Sequence, residues 1–387
     1  MRIAQVAPLY ERVPPLYYGG TERIVSYLTE ELVNQGHEVT LFASGDSLTQ
    51  AKLVSACPRS LRLNPACVDY LAYNLLQLEQ IFQQAHSFDV VHFHTDYFHY
   101  PFSRRQDLAH VTTLHGRLDM PDLLPLYSEF DDMPVVSISD SQRAPLAWIN
   151  WYGTVHHGLP LDLYKPQKEP GKYLMFLGRI SPEKRPDLAI EIAQRVQMPL
   201  KIAAKVDAVD QRYMENEIGP LIDHPLVEFI GEVDDAGKAD LLRHAYALLF
   251  PVDWAEPFGL VMIEAMACGT PTVAFRRGSV PEVLDNGISG YVVDDVEQAI
   301  EALKALQHFD RTGCRRVFEE RFSARRMAED YVKIYQRVVE SSGRIGVMSP
   351  RQEGAVAPRR NEVSAGNGNG TPLPGPGSAI NLPVSFR

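Results

Sequence analysis

The stretch Tyr246–Arg276, YALLFPVDWAEPFGLVMIEAMACGTPTVAFR, is the most legible part of the chain. YALLFPV is a short apolar run rich in β-forming residues, GLVMIEAMA is a helix, and PTVAFR is a second β-type run after a Gly-Thr-Pro break. Strand, helix and strand in this order form a βαβ unit, which belongs in a parallel sheet covered on both faces. Two acids interrupt the pattern. Glu256 lies in the loop leaving the first strand, where open α/β sheets bind ligands. Glu264 lies about two turns into the helix among Val261, Met262, Ile263, Ala265 and Met266. A buried carboxylate costs several kcal/mol unless it is compensated, by a diol donating hydrogen bonds or by a salt bridge to Lys or Arg.

The same alternation runs outward in both directions. Toward the N-terminus it comprises MRIAQVAP, a helix over Thr21–Gln35 ended by Gly36, then HEVTLFAS, FDVVHFH, HVTTLHG and PVVSISDS. Around the opening unit it comprises KYLMFLG, PLKIAAKV, VEFIGEV and GYVVDD, with ADLLRHAYA as a helix. Two doubly wound α/β domains in tandem follow, joined through HHGLPLDLYKP, with Pro160 and Pro166 marking an extended linker. Residues 1–160 and 161–322 are the two domains. A final helix over 323–342 carries the stripe Met327, Tyr331, Ile334, Tyr335 and Val338, and the Gly/Pro-rich residues 343–387 read as a disordered tail.

Composition narrows the function. A net charge of −11 opposes nucleic acid as the main partner, because phosphate backbones need a basic face. No apolar run reaches the ~18 residues of a membrane span. The four cysteines form no C-x-x-C and read as free thiols of a cytoplasmic protein, with peripheral membrane attachment left open.

Three further stretches carry chemistry. In LGRISPEKRPD, Arg179 and Lys184 follow a strand end, two cations suited to a diphosphate; solvated surface charge is the bland alternative, and no P-loop is present. In LYYGGTERIVSYL, Gly19 and Gly20 precede a helix N-terminus, where backbone amides attract anions. The long loop Leu9–Tyr18 before them does not fit a nicotinamide fingerprint. In TTLHGR, His115 stands at a strand end and is either a substrate contact or a packing histidine. His92, His94 and Asp96 alternate as if on one strand face and read as a polar cleft wall rather than a metal site.

Together these residues resemble the retaining glycosyltransferases of family 4, the group 1 glycosyl transferases, over about residues 1–342. The resemblance rests on E-P-F-G-L-V-M-I-E with A-M-A-C-G-T-P, and on G-R-I-S-P-E-K. It implies the GT-B fold: two Rossmann-like domains facing a cleft, with the last helix crossing back to the first domain. It implies that Gly19, Gly20, Arg179 and Lys184 hold the diphosphate of a nucleotide sugar (a UDP- or GDP-sugar), with Glu264 on the ribose. Glu256 would hold sugar hydroxyls, the amides of Phe258, Gly259 and Leu260 would flank sugar and phosphate, and Glu232 and Val233 would pack near the base. His115 would touch the transferred sugar, and His115, Arg179, Lys184 and Glu256 would carry catalysis. No metal or other cofactor is implied; the acceptor is a hydroxyl of a small molecule, glycan or lipid-linked sugar. A GT-B-like epimerase or phosphorylase and a non-catalytic nucleotide-sugar binder are the alternatives. Arg185-Pro186 and Gly278-Ser279 depart from the family, which often has glycine after the lysine and Gly-Gly before Pro-Glu.

Overall fold

The structure is a computed structural model, and it describes residues 1–62 and 64–344. The expected disordered tail, but for its first residues, lies outside the described residues.

Every strand pairing among the described residues is parallel. The first sheet contains β1 (Arg2–Val6), β2 (Glu38–Ala43), β3 (Lys52–Ser55), β4 (Val90–Phe93), β5 (His110–Thr113), β6 (Val135–Ser137) and β7 (Trp151–Thr154), in the order β3-β2-β1-β4-β5-β6-β7. The second contains β8 (Leu174–Arg179), β9 (Leu200–Lys205), β10 (Val227–Gly231), β11 (Ala247–Phe250), β12 (Thr272–Phe275) and β13 (Gly290–Val293), in the order β10-β9-β8-β11-β12-β13. Both orders reverse direction beside their first strand, the topology that opens a ligand crevice at the strands' carboxyl ends. The six strands read in the second half of the sequence are all present. In the first half β3 and β7 escaped notice, because both are short edge strands with few fully buried residues and so show no continuous apolar run.

The helix after the Gly-Gly pair is Gly20–Asn34, and Ile24, Leu28 and Leu32 are fully buried as its apolar face. Gly36 follows at φ 82, the left-handed conformation of a helix-terminating glycine. The helix expected over Ala239–Ala247 instead spans Asp235–Arg243, capped by the Asp234 carboxylate accepting from the Gly237 amide. β4 ends at Phe93, so the expected alternation of His92, His94 and Asp96 on one strand is corrected: His92 and His94 share a face, whereas Asp96 lies in the following loop at φ 48.

The last helix, Ala324–Arg344, buries the whole expected stripe Met327, Tyr331, Ile334, Tyr335 and Val338. It packs on β4, β5 and the Gly20–Asn34 helix, so it returns to the first sheet. Its entry lies beside the linker: Leu159 bridges Ser323, and the Arg326 guanidinium donates to the His156 and His157 carbonyls. Gly158 has no room for a side chain there, since a Cβ would meet the Ser323 carbonyl oxygen at 2.3 Å. One apolar core runs from Ile3 and Ile24 through Phe258 and Met262 to Phe322 and Tyr331, tying the two sheets and the last helix together.

Candidate functional site

The two sheets bring their loops together between the Gly20–Asn34 helix and the Leu260–Ala267 helix. A Cβ on Gly20 would lie 3.6 Å from Leu260 Cδ1, so the N-termini of the two helices meet. Each end leaves backbone N–H groups without helical partners, and those groups with the helix dipole form an anion-binding surface. Gly259, immediately before the second helix, is at φ 78 with Met262 Cε 2.7 Å from where a Cβ would stand. The left-handed backbone there favours glycine over any residue with a side chain.

The cations stand on the second sheet beside this junction. Arg179 ends β8 and pairs with Glu183 and Asp207, with Asp210 Oδ2 at 3.9 Å. Lys184 pairs with the Glu256 carboxylate, and its Nζ lies 4.9 Å from the Trp254 ring centroid. Trp254 Nε1 donates to the same Glu256 oxygen at 2.9 Å, and Glu256 is only 8% exposed. Neither cation is a solvated surface charge: Arg179 lies among three carboxylates and Lys184 is paired with Glu256.

The two family departures have local explanations. Arg185 occupies the position after the lysine at φ 52, ψ 52, the conformation that favours glycine, and its guanidinium is clamped on Asp187. Ser279 is buried and donates its hydroxyl to the Phe258 carbonyl at 3.0 Å, while its amide donates to the Glu256 carbonyl at 2.9 Å. The serine thus holds the turn that carries Glu256 and Phe258. Gly278 beside it approaches the backbone so closely that a Cβ would sit 2.3 Å from the Glu256 amide.

Glu264 is 2% exposed, and Lys238 Nζ donates to its Oε1 at 2.6 Å. Lys238 also reaches Asp235 at 3.3 Å, and Asp235 pairs with the buried Arg23 from the Gly20–Asn34 helix. The salt bridge weighed from the sequence therefore exists: Lys238 compensates the carboxylate within the chain. Neither Lys238 nor Arg23 was singled out in the sequence. The signal for Lys238 was its position in the first turn of a helix following a strand, which a helix begun at Ala239 conceals. Glu232, immediately after β10, accepts from the Tyr18 amide at 3.2 Å, so the long loop before Gly19 closes onto the second sheet. Val233 next to it is half-buried and packs on the shared core.

His115 sits across the junction from these groups. Its Nε2 is 2.9 Å from His94 Nδ1, and its ring stacks on His157 at 5.4 Å and 16°. His157 in turn meets Phe258 edge-on at 4.8 Å. Burial lowers the His115 pKa to about 3, so the ring is neutral. His92 and His94 are fully or nearly fully buried and neutral, and all four of their ring nitrogens are hydrogen-bonded to protein, which leaves no lone pair for a metal. Among the described residues no group of three or more His, Cys, Asp or Glu is arranged to hold a metal ion, and no helix is long and apolar enough to cross a membrane. The four cysteines are free thiols. Asp119 pairs with Arg117, and Asp132 with Arg104.

Comparison with known proteins agrees with this geometry. The model of glycosyltransferase family 4 matches residues 18–176, and that of glycosyl transferases group 1 matches residues 164–311. A phosphatidyl-myo-inositol mannosyltransferase of Mycobacterium leprae is 32% identical over 195 residues, covering 46% of this chain and 50% of the relative. The chain thus spans about half the length of such curated relatives. Among solved structures, AviGT4, a glycosyltransferase of avilamycin A biosynthesis, superimposes with a TM-score of 0.68 at 24% identity, over 88% of this chain and 98% of that one. Anabaena HepE in complex with UDP-glucose superimposes with a TM-score of 0.63 at 16% identity, over 89% of this chain and all of that one. These likenesses establish the fold, two Rossmann-like α/β units with the last helix returning to the first. The two family models together account for residues 18–311, and the chain belongs to glycosyltransferase family 4, the group 1 glycosyl transferases, with the GT-B fold.

Proposed function

We propose that the protein transfers a sugar from a nucleoside diphosphate sugar, a UDP- or GDP-sugar, to an acceptor hydroxyl with retention of anomeric configuration and without a metal ion. The observation that carries the reading is the meeting of two helix N-termini, at Gly20 and Leu260, beside Arg179 and Lys184. The binding of UDP-glucose by HepE, a protein of the same fold, supports the donor class.

In this reading the bond from the anomeric carbon to the β-phosphate oxygen breaks, and negative charge grows on the departing diphosphate. Arg179, Lys184 and the amides at Gly19, Gly20 and Phe258–Leu260 face that charge and hold it more tightly in the transition state than before it. Glu256, released from Lys184 as the lysine turns to phosphate, accepts from sugar hydroxyls. Glu264 accepts from the ribose diol, and Glu232 and Val233 flank the base. The neutral His115 ring contacts the transferred sugar. The acceptor oxygen attacks from the face the phosphate leaves, and its proton passes to the departing phosphate oxygen. Residues 1–160 form the acceptor side and 161–322 the donor side.

The test is a metal-free screen of UDP-, GDP- and ADP-sugars that reads nucleoside diphosphate release and thermal stabilisation together. Stabilisation by one nucleotide and slow release from one of its sugars is the expected result. Activity only with added divalent metal would overturn the metal-free mechanism, and no stabilisation by any nucleotide would overturn the donor site.

A further inference from the structure

The candidate sugar contact, His115, is the last member of a hydrogen-bonded chain that starts on the C-terminal helix. The Gln5 side chain lies at its centre, fully buried on β1. Its Nε2 donates to the Tyr335 hydroxyl at 2.9 Å, and its Oε1 faces His94 Nε2 at 2.9 Å. The Tyr335 hydroxyl continues to His92 Nδ1 at 2.7 Å, His92 Nε2 to the Thr113 hydroxyl at 2.7 Å, and Thr113 to the Tyr331 hydroxyl at 2.9 Å.

The proton positions follow from chemistry. An amide oxygen only accepts, so His94 Nε2 carries a hydrogen. A neutral imidazole has one N–H, so His94 Nδ1 is a lone pair. The group opposite, His115 Nε2, must then donate, which leaves His115 Nδ1 unprotonated. That nitrogen is buried and has no hydrogen-bond partner among the described residues. Stacking on His157 fixes the plane of the ring.

We propose that Gln5, acting through His94, is a positioning residue that locks His115 in the Nε2–H tautomer and thereby presents the Nδ1 lone pair as an acceptor for a hydroxyl of the transferred sugar. The catalytic use of that lone pair rests on the proposed transferase reading; the tautomer itself does not. The reversed Gln5 amide would send the opposite hydrogen pattern through His94 to His115 and leave an N–H on the buried Nδ1 with no acceptor among the described residues, a costlier orphan than a lone pair, so the orientation in which Tyr335 accepts from Gln5 Nε2 is the one held.

The experiment is 15N NMR of the histidine rings in the full chain labelled with 15N-histidine, with His115 assigned by its loss in His115→Ala. In the unsubstituted protein the His115 Nδ1 resonance falls in the unprotonated range and Nε2 in the protonated range. Gln5→Leu removes the acceptor from His94, mixes the two tautomers, and lowers the sugar-transfer rate at least tenfold with nucleoside diphosphate affinity unchanged. Gln5→Glu still offers His94 an acceptor oxygen, and restores one tautomer and a rate within about threefold of the original. Tyr335→Phe, a smaller change, frees the amide and also mixes the tautomers. A proton on Nδ1 in the unsubstituted protein, or a single unchanged tautomer in both Gln5→Leu and Tyr335→Phe, overturns the proposal. Mixed tautomers with an undiminished transfer rate overturn its catalytic half. Should no sugar nucleotide be turned over by the unsubstituted protein, the transferase reading fails while the NMR result still decides the tautomer lock.

Discussion

Replacing Lys238 by methionine isolates the question posed by the buried Glu264. The two charges are 2.6 Å apart, and with an effective dielectric of 20 their gross attraction is about 6 kcal/mol. Desolvation offsets most of this gain, so the informative quantity is the cost of orphaning one partner, commonly about 3–5 kcal/mol. Here the field of Arg23 also reaches Glu264, which lowers the expected loss in Lys238→Met to about 2–4 kcal/mol. Glu264→Gln leaves Lys238 its second partner, Asp235, and costs less, about 1–2 kcal/mol. The double variant carries no orphaned carboxylate and is more stable than Lys238→Met alone. Urea unfolding of the four proteins gives this cycle, and nucleotide titration of the same samples separates stability from binding. If Glu264 also accepts from the ribose, Glu264→Gln weakens nucleoside diphosphate binding by about 10- to 150-fold, the equivalent of ~1.5–3 kcal/mol. A loss below about 1 kcal/mol in Lys238→Met would refute the compensation argument. Unchanged nucleotide affinity in Glu264→Gln would refute the ribose role and leave the residue purely structural.

Arg179→Ala and Lys184→Ala should each reduce turnover at least tenfold with folding intact; unchanged donor turnover in both would remove them from the diphosphate site. Gly278→Ala should displace the Ala255–Glu256 backbone, because the added Cβ would stand 2.3 Å from the Glu256 amide, and steady-state kinetics should show loss of activity with the fold retained by circular dichroism. Glu22 supplies a pH test. It is buried at 5% exposure, and desolvation raises its pKa from 4.5 to about 7. The folded state therefore holds this proton more tightly than the unfolded state, so the associated stability is complete below pH 4.5 and is lost as pH rises through 7. Glu22→Gln should flatten that decline and raise stability at pH 8 by roughly 1–3 kcal/mol, read as the melting temperature between pH 4 and 8. A wild-type profile that rises over this interval would contradict the buried protonated carboxyl.

Hydrophobic periodicity was enough to reveal both parallel sheets, the helix after Gly20 and the stripe of the last helix, because those elements bury continuous apolar runs whose signal is local. The edge strands Lys52–Ser55 and Trp151–Thr154 carry no such signal, since they are only partly covered. The paired glutamates, the Arg179–Lys184 loop and the two glycines were legible as residue types at strand and helix ends, where ligands of α/β folds collect. Their partners were not. Lys238 meets Glu264 across 26 residues, Lys184 meets Glu256 across 72, and Gln5 meets Tyr335 across 330. A lysine, a glutamine or a histidine has the same propensity whether it lies on the surface or completes a buried circuit. Which of them compensates a carboxylate or directs a proton is decided when the chain closes and water is removed, since only then does each polar group have to find a specific partner.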